Sequence, residues 1–453
     1  MKTQNFSSLN LSDAMVKNLE NIGFKNMTPI QAEALPYILD SKDLIAKAKT
    51  GSGKTAAFGI GLLEKLDVKK FRVQSLVLCP TRELADQVAR ELRQIAKFSH
   101  NIKILTLCGG VAFGPQLGSL RHQAHIIVGT PGRVLKHLNK NSLSLQDLNM
   151  LVLDEADRML DMGFIEEIQN VIDFAPKERQ NLLFSATYPD EIKDFSKSIL
   201  NNPVEVEAIA TELPNEISEY FYESKVREKV KTLVEIFSTY KPKDAIVFCN
   251  TKALCDELAD ELQEFNIDAL SLHGDLEQYE RNDVLVQFTN KSCRVLVATD
   301  VAARGLDIKD LDMVVNYDAP HSKETYTHRI GRTGRAGAKG ISVTLYDDKE
   351  IEKIDEYRDD KREFLKIEKF SNITDFEMKP EFVSVVIEGG KKDKLRKGDI
   401  LGALTGDIGL SGEDIGKIDI YDRQTYVAIR NNAVKNITKN IIIKKKRFTT
   451  WIL

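Results

Sequence analysis

The sequence contains no apolar run of about 18 residues, the length that a membrane-spanning helix needs. Its opening segment, MKTQNFSSLN, has one lysine followed by polar residues and lacks the apolar core of a signal peptide. Cysteine is scarce: there are five, an odd number, and none forms a CxxC pair. These absences predict a cytoplasmic protein without a membrane span, a disulfide framework or a zinc site.

The composition is that of a folded, water-soluble chain. Hydrophobic residues make up 42% of the 453 residues and charged residues 29%. These values exclude a disordered, collagen-like or coiled-coil protein. At roughly 150 residues per domain, the length predicts about three domains.

The charge is unevenly distributed. The whole chain carries a net charge of −4, but residues 371–453 contain 15 lysines and arginines against 11 aspartates and glutamates. This region is therefore at +4, and the preceding 370 residues are at −8. A basic appendage on an acidic body is typical of a nucleic-acid-binding module, although a solvated charged surface has the same composition.

The chain alternates short apolar runs with longer amphipathic stretches, a pattern that predicts βαβ units and parallel sheets. Because both faces of each run are apolar, we expect sheets that helices cover on both sides. The pattern occurs twice, which predicts two similar α/β domains. The predicted strands lie at 75–80, 126–130, 151–157 and 182–187, and again at 245–250, 269–274, 294–300, 313–318 and 341–346.

Composition changes mark the domain boundaries. A segment with two prolines at 203–216 separates the two α/β domains, and a charged stretch at 349–369 is predicted to close the second as a helix. Beyond Pro380 the pattern becomes glycine-rich and β-like, which predicts a small third domain. We therefore expect domains at 1–208, 216–370 and 371–453.

The strongest single motif is the segment AKTGSGKT at 48–55, between an apolar run and a helical stretch. Its glycines allow close approach of the backbone to phosphates, and a helix begins directly after it. Lys54 would reach the β- and γ-phosphates of ATP and Thr55 would hold Mg²⁺. The pattern indicates a P-loop, with Ala48 in place of the first glycine; the alternative is a glycine-rich turn that ends in lysine.

Two further segments support nucleotide hydrolysis. Asp154 and Glu155 directly follow an apolar strand, where α/β sheets place ligands, although an acidic turn also caps a helix. The segment HRIGRTGR at 328–335 repeats arginine every three residues, as expected for cations that neutralise a transferring phosphoryl group, or for ordinary surface ion pairs. The second domain has the segment TKALCDE at 251–257 where the first has its P-loop, so we expect one nucleotide for both domains.

In this order, the motifs resemble those of the DEAD-box ATP-dependent RNA helicases over about residues 6–346. Ala48 is the usual residue of that family. The resemblance implies two tandem RecA-like domains. The matching segments are GFKNMTPIQ (23–31), AKTGSGKT (48–55), PTRELA (80–85), Gly109-Gly110, TPGR (130–133), DEAD (154–157), SAT (185–187), HGD (273–275), QYER (278–281), VATDVAARGLDI (297–308) and HRIGRTGR (328–335).

The resemblance implies a role for each matching residue. Catalysis would depend on Lys54, Thr55, Asp154, Glu155, Arg332 and Arg335, with Thr55 and Asp154 toward Mg²⁺, Glu155 on the attacking water and the arginines as fingers. ATP would be bound by Phe6, Phe24, Thr28, Gln31, Ala48, Lys49, Thr50, Gly51, Ser52, Gly53, Lys54, Thr55 and Asp307. Coupling of hydrolysis to strand separation would involve Ser185, Thr187 and His328.

The same resemblance implies contacts to the phosphates and sugars of RNA, which position a strand without reading its sequence. In the first domain they would come from Pro80, Thr81, Arg82, Gly110, Thr130, Gly132 and Arg133. In the second domain they would come from Gly274, Gln278, Arg281, Thr299 and Arg304.

The third domain resembles the RRM-like C-terminal RNA-binding domain of the DbpA subgroup, an α+β fold. The segment GGKKDKLRKGD opens with two glycines and concentrates positive charge, and its cations are predicted to bind RNA: Lys391, Lys392, Lys394, Arg396 and Lys397. Tyr426 is the single ring on the strand where RRM domains stack bases, so we add it to the RNA-binding residues but do not expect base stacking to dominate.

The resemblance implies an RNA-dependent ATPase and helicase that uses Mg-ATP to close two domains on RNA and unwind short duplexes locally. It implies a tether to a hairpin of 23S ribosomal RNA during large-subunit assembly. The alternative is an ATP-gated RNA clamp or chaperone with little unwinding. No membrane or DNA partner is expected. The sequence leaves open the exact hairpin, the oligomeric state, the step rate, the tolerated duplex length and the role of the tail KKKRFTTWIL.

Overall fold

The computed structural model describes residues 5–48, 51–207, 217–303, 308, 311–334, 339–355, 357, 363–365 and 376–453. They form two compact units. The first comprises the described residues up to 207 and contains one sheet. The second comprises the described residues from 217 onward and contains two sheets.

The first unit is built on a seven-stranded sheet in the order β3-β4-β2-β5-β6-β1-β7, with every pair parallel. Its strands are β1 (Leu44–Lys47), β2 (Ser75–Leu78), β3 (Ile104–Leu107), β4 (Ile126–Gly129), β5 (Met150–Asp154), β6 (Gln180–Ser185) and β7 (Val204–Glu207).

Helices cover both faces of this sheet, which is why its strands are apolar on both sides. Val77 packs in one hydrophobic cluster, and Leu76 and Leu78 pack in the cluster on the opposite face. The helices are α1 (Asp13–Asn21), α2 (Pro29–Leu39), α3 (Lys54–Glu64), α4 (Arg82–Ile95), α5 (Phe113–Leu120), α6 (Pro131–Asn139), α7 (Ala156–Asp161), α8 (Ile165–Ile172) and α9 (Asp190–Ile199).

The second unit begins with a sheet of the same design, parallel throughout, in the order β10-β11-β9-β12-β13-β8-β14. Its strands are β8 (Ile217–Glu223), β9 (Ala245–Cys249), β10 (Ala269–Leu272), β11 (Val295–Thr299), β12 (Met313–Asn316), β13 (Gly340–Tyr346) and β14 (Glu363–Leu365). Its helices are α10 (Lys229–Tyr240), α11 (Lys252–Glu264), α12 (Gln278–Thr289), α13 (Asp300–Ala303), α14 (Lys323–Ile330) and α15 (Ile351–Asp355).

The same unit ends in a five-stranded antiparallel sheet in the order β16-β17-β15-β19-β18. Its strands are β15 (Phe382–Ile387), β16 (Ile415–Ile420), β17 (Thr425–Arg430), β18 (Asn440–Ile443) and β19 (Lys446–Ile452). A short helix, α16 (Lys397–Gly402), continues as a π-helical turn and packs Ile400 and Leu404 against one face of the sheet.

The predicted fold class is confirmed: two parallel α/β domains precede a small α+β domain, and a strand lies at each predicted position. One prediction is wrong. Among the described residues of the predicted helix at 349–369, only Ile351–Asp355 is α-helical, and Glu363–Leu365 forms β14 beside β8. Strand β8 has backbone N–H and C=O groups on its outer side, and residues 363–365 pair with them as a strand. This tertiary interaction overrides the local helical pattern.

None of the helices in the described part of the chain has both the length and the apolar character needed to cross a bilayer.

Candidate functional site

The carboxyl edge of the first sheet brings the nucleotide motifs together. Strands β5, β6 and β1 are neighbours in the sheet. Asp154 is the last residue of β5 and Ser185 the last residue of β6, and the P-loop follows β1. Parallel α/β sheets bind ligands at this edge, so the three motifs converge where the fold places a ligand.

The P-loop requires two of its glycines for conformational reasons. Gly51 and Gly53 have φ values of 88° and 94°, in the left-handed region that side chains disfavour. A Cβ atom on Gly53 would also lie 2.5 Å from Nε2 of Gln31. The turn leads directly into α3, whose first residue is Lys54. The N-terminus of this helix therefore lies at the sheet edge, where its N–H groups favour an anion.

Gln31 joins the segment at 23–31 to the P-loop. Its Nε2 donates to the carbonyl of Gly53 at 3.1 Å, and its Oε1 accepts from the backbone N–H of Thr28 at 2.9 Å. Phe6 is 2% exposed and lies in the hydrophobic core, with its ring edge toward Phe24. The structure thus places Phe6 under the segment and leaves the ring of Phe24 partly exposed.

Several polar atoms at this edge are buried and have no hydrogen-bond partner among the residues that the structure describes. They are Thr28 Oγ1, Ser52 Oγ, Lys54 Nζ and Asp154 Oδ1. Burial raises the pKa of Asp154 to about 7, and this outweighs the opposing charge of Lys54, while the charge of Glu155 raises it further. Buried polar groups in native proteins are nearly always satisfied, so these atoms indicate a bound ligand. An ammonium, hydroxyls and a carboxylate at a helix start suit a magnesium-bound phosphate chain.

The acidic turn after β5 connects this edge to the segment SAT. Glu155 has φ 53°, a strained conformation for a residue with a side chain, and its Oε2 lies 2.9 Å from Nη1 of Arg158. Asp157 Oδ2 accepts hydrogen bonds from the backbone N–H groups of Ala186 and Thr187 and from Thr187 Oγ1. Asp157 N–H donates to Ser185 Oγ at 3.2 Å. Four hydrogen bonds therefore join the acidic turn to the segment SAT.

The other half of the sheet edge holds the predicted RNA-binding segments of the first domain. Strands β3, β4 and β2 are neighbours, and the segments that contain Gly110, Thr130 and Arg82 follow them. The guanidinium of Arg82 covers Gly110: a Cβ atom there would lie 1.4 Å from Nη1. Thr81 caps α4 by accepting from Leu84 N–H. Pro80 is buried beside it, and Gly132 is exposed on α6.

A buried network that sequence reasoning missed holds Arg133 in place. Its Nη1 donates to the carbonyl of Val111 at 3.0 Å and to Oε1 of Gln116 at 2.7 Å. Gln116 in turn donates to the carbonyl of Cys108 and contacts His137. Burial, followed by the charge of Arg133, lowers the pKa of His137 to about 4. In the sequence, the one signal for this network is that Gln116 and His137 lie on the inward-facing sides of α5 and α6.

In the second unit, the arginines of the segment HRIGRTGR have different surroundings. Arg329 is 1% exposed and makes two hydrogen bonds of 2.7 Å to the carboxylate of Asp300, with further bonds to Asn316, the carbonyl of Asp318 and Asn250. This arginine is a structural clamp on the segment after β11. Arg332 is 8% exposed, and His328 is partly exposed at the end of α14.

The remaining predicted RNA-binding residues of this domain lie near the start of α12. Gln278 is the first residue of the helix, and Arg281 is one turn further and donates to the carbonyl of His273 at 3.1 Å. His273 is held by Asp256 at 2.8 Å, and Gly274 is exposed next to it. Thr299 ends β11 and is buried.

Some of the predicted site residues lie outside the described residues. They are Lys49, Thr50, Arg304, Asp307 and Arg335.

In the C-terminal domain, Lys391, Lys392, Lys394, Arg396 and Lys397 are all exposed. The tail that sequence reasoning left without a role joins them: Lys444 Nζ donates to the carbonyl of Lys394 at 2.9 Å and pairs with Asp399 at 2.7 Å. Tyr426 is placed differently from the cations. It is 5% exposed and its hydroxyl donates to Asp283 of α12, so its ring does not lie on the open surface.

A P-loop that faces an acidic strand end, in the first of two parallel-sheet domains, defines a P-loop nucleoside triphosphatase. The domain order agrees with three family models. Residues 28–195 match the DEAD/DEAH box helicase model, residues 228–337 the helicase conserved C-terminal domain, and residues 384–450 the DbpA RNA binding domain. The chain belongs to the DEAD-box family of ATP-dependent RNA helicases.

Two curated relatives match nearly the whole chain. It is 51% identical over 442 residues to the ATP-dependent RNA helicase DbpA of Escherichia coli (strain K12), covering 96% of each chain. It is 39% identical over 472 residues to the ATP-dependent RNA helicase DbpA of Bacillus subtilis (strain 168), covering 98% of each. Among solved structures, Saccharomyces cerevisiae Dbp5 bound to RNA and ADP BeF3 matches with a TM-score of 0.72 and 32% identity, over 80% of this chain and 95% of that one.

Proposed function

We propose that this RNA helicase acts on 23S ribosomal RNA during assembly of the large ribosomal subunit. ATP and a single RNA strand would favour the same closed arrangement of the two helicase domains, so each would tighten binding of the other. The strand held in this arrangement would not remain paired, and a short duplex would open locally. The observation that carries the ATP-dependent part is the set of unsatisfied buried polar atoms at the first sheet edge.

Within the nucleotide site, Lys54 would bind the β- and γ-phosphates and Thr28 and Gln31 would recognise the base. Thr55 and Asp154 would hold magnesium, which neutralises charge on the phosphate oxygens when it is bound. Asp154 must be ionised for this role, and the positive charge of Lys54 favours the ionised form.

Glu155 would orient the attacking water and take up its proton. Arg332 and Arg335 would stabilise the charge that develops on the γ-phosphoryl group. Ser185 and Thr187 would pass the change to the RNA-binding side through Asp157, whose carboxylate already accepts three hydrogen bonds from this segment.

The C-terminal domain would hold a structured RNA through one basic surface, which we call the basic edge: the segment Lys391–Lys397 and the turn Lys444–Arg447. The turn has a backbone geometry that glycine or asparagine usually provides. Lys444 and Lys445 have φ values of 53° and 64°, and the strands on either side pair directly at Ile443 and Lys446. Two lysines in this strained conformation concentrate charge at one point, as expected for a phosphate contact.

The activity is tested by ATP turnover with ribosomal RNA, poly(U) and no RNA. Arg335→Ala should lower RNA-stimulated turnover by about 10³- to 10⁵-fold, the usual loss for an arginine finger. Glu155→Gln should bind ATP and RNA and hydrolyse poorly. Full turnover by either variant would remove the corresponding role.

The RNA target is tested at the basic edge. The triple variant Lys391→Ala, Lys392→Ala and Lys445→Ala should bind ribosomal RNA more weakly and lower the slope of log affinity against log salt by about 2 to 3. The control is Lys177→Ala, Lys193→Ala and Lys197→Ala, three lysines of the first unit. An unchanged slope in the first variant would exclude the basic edge.

A strand-displacement assay separates a helicase from a clamp, because a clamp binds RNA in the presence of nucleotide and displaces no strand.

A further inference from the structure

The outer face of the C-terminal sheet, which points away from the domain's own core, is covered over one half and open over the other. In the covered half, Val386 of β15 and Tyr426 of β17 are buried because they pack against Val286 of α12. The ring of Tyr426, on the strand where RRM domains stack bases, is therefore closed to RNA. The other half of this face belongs to β18 and β19.

Strand pairing shows which residues of β18 and β19 share this face. Trp451 of β19 pairs with Val386, and directly paired residues of an antiparallel sheet point to the same face. Because side chains alternate along a strand, Thr449 and Arg447 point to this face as well, and so does Ile442 of β18, which pairs with Arg447. We call these four residues the open strip: Ile442, Arg447, Thr449 and Trp451. All four are exposed.

The open strip has a large apolar side chain at each end, although it faces water. Trp451 is 37% exposed and Ile442 is 59% exposed. The intervening residues Phe448 and Thr450 of β19 point the opposite way and are buried, so the strand is held firmly in the sheet. Large apolar side chains that share one exposed face indicate a surface that binds a partner.

The charge around the open strip identifies the kind of partner. Residues 431–453 contain six lysines and arginines and neither aspartate nor glutamate. An exposed glutamate, Glu388, adjoins the strip through its N–H, which donates to the carbonyl of Thr449 at 2.9 Å, but the hairpin as a whole remains strongly positive. A positively charged surface of this kind favours a polyanion.

The open strip is continuous with the basic edge. Arg447 belongs to both, because it ends the turn Lys444–Arg447 and also points to the outer face. The turn reaches the other cations of the basic edge through Lys444, which donates to the carbonyl of Lys394. An RNA held at the basic edge can therefore extend onto the strip without leaving positive charge.

An aromatic ring beside cations suits an unpaired nucleotide. Every base has a flat face that stacks on such a ring, whereas the bases of a duplex already stack on one another. Arg447 lies four residues before Trp451, about 13 Å along the strand, so the two side chains reach different parts of one RNA strand.

We propose that the open strip binds an unpaired nucleotide of RNA, with the base stacked on Trp451 and a neighbouring phosphate at Arg447. Base stacking in this domain is then displaced from the covered strand β17 to β19. The stacking stands on the open strip alone. The arrangement in which a hairpin at the basic edge lays its adjoining single strand on the strip rests on the proposed function.

Stacking is tested by fluorescence of the full chain, because Trp451 is its single tryptophan and its emission reports this site alone. Titrations are made without nucleotide, which keeps RNA binding by the helicase domains weak. Short oligo(A) should quench the emission to saturation, and the same strand paired with oligo(U) should change it little. Unchanged emission with oligo(A), or equal quenching by strand and duplex, would overturn the proposal.

Substitutions at Trp451 separate stacking from apolar contact. With labelled oligo(A), Trp451→Ala and Trp451→Leu should both raise Kd by about tenfold, whereas Trp451→Phe, which keeps a ring, should retain most of the affinity. Ile452→Ala is the matched control, at a 53% exposed residue of the same strand that points to the other face. Full affinity in Trp451→Leu would overturn stacking. Thermal unfolding checks that each variant is folded, and the fluorescence of the unaltered chain decides the matter if one is not.

The phosphate contact is tested separately. Arg447→Ala should lower the slope of log affinity against log salt by about 1 and leave the full quenching amplitude at saturation. An unchanged slope removes the role of Arg447 and leaves stacking standing.

Two further outcomes are distinguishable from these. Self-association of the unaltered chain without RNA, lost in Trp451→Ala and measured by sedimentation, would assign the open strip to a second copy and overturn the proposal. Ribosomal RNA that binds no more tightly than poly(U) would overturn the proposed target, while the oligo(A) titration still decides stacking.

Discussion

The two parallel-sheet domains share one strand arrangement but treat their carboxyl edges in opposite ways. In the first, Lys54 Nζ and Asp154 Oδ1 are buried and have no partner among the described residues. In the second, Arg329 is buried deeper and bonds to Asp300, Asn316, Asp318 and Asn250. Among the described residues, the first edge leaves buried polar groups unpaired, whereas the buried arginine of the second edge is fully bonded to its neighbours. The same fold therefore supports a binding site or a structural clamp, depending on which polar groups remain unpaired.

The largest expected effect separates function from stability at the first edge. Lys54→Ala should lower RNA-stimulated ATP turnover by about 10²- to 10³-fold, because it removes a cation aimed at developing charge. The unfolding temperature should fall little, since the ammonium makes no hydrogen bond to the described residues and Asp154 can take up a proton when the charge of Lys54 is removed. Turnover assays and calorimetry check this.

The matched control is Lys252→Ala, which changes the first residue of α11 at the corresponding turn of the second domain. Lys252 is exposed and pairs with Asp275 at 2.5 Å. Its loss should change turnover and stability little. A comparable loss of turnover in both lysine variants would contradict the assignment of one nucleotide site to the first domain.

The reverse result is expected at the second edge. Arg329→Ala removes a buried guanidinium, leaves the partly buried carboxylate of Asp300 without this partner and should destabilise the second unit by about 3–5 kcal/mol. Arg329→Lys keeps the charge but loses the two-pronged contact, so it should recover only part of this stability. Thermal and denaturant unfolding measure both.

Arg227→Ala, at an exposed arginine of the same unit, is the control for the clamp. It should stay within about 0.5 kcal/mol of the unaltered chain, as surface substitutions usually do. If Arg329→Ala were equally harmless, the second edge would not be a structural clamp.

A smaller effect is expected at Asp157, which joins the acidic turn to the segment SAT. Asp157→Ala removes the acceptor for four donors, three of them in the segment SAT, and should cost about 1–3 kcal/mol of stability. Strand displacement should fall more than ATP turnover, because the connection to the RNA-binding side is lost. Equal losses in both assays would contradict a coupling role.

The smallest effects compare two equivalent helix caps. Thr81 and Thr251 each accept a hydrogen bond of 3.3 Å from a backbone N–H at the start of α4 and α11. Thr81→Ala and Thr251→Ala should each cost about 1 kcal/mol, measured by calorimetry. Only Thr81→Ala should also weaken RNA binding. An equal loss of RNA affinity in Thr251→Ala would contradict the proposed difference between the two sheet edges.

Much of the fold follows from local patterns. Apolar runs such as 245–250 become buried parallel strands, because neither face of these strands meets water. The P-loop and the acidic turn were predicted together from their positions after strands. At 363–365 the local helical pattern gave way to a free sheet edge, a tertiary effect that no window of sequence contains.

The side-chain roles were harder to predict. Arg329 and Arg332 belong to one repeat in the sequence, yet only the packing around Asp300 identifies Arg329 as a clamp. Tyr426 reads as an exposed ring on a strand, and its burial depends on α12, which lies more than 130 residues earlier in the chain. Lys444 meets Lys394 only through the antiparallel pairing of the last two strands.

The most direct test of the difference between the two edges is hydrogen exchange of the full chain with Mg²⁺ and a non-hydrolysable ATP analogue, without RNA. The account predicts strong protection of residues 51–57, at the start of α3, and no change at residues 250–256, at the start of α11. Protection of 250–256 that equals that of 51–57, or an unchanged segment at 51–57, would contradict it.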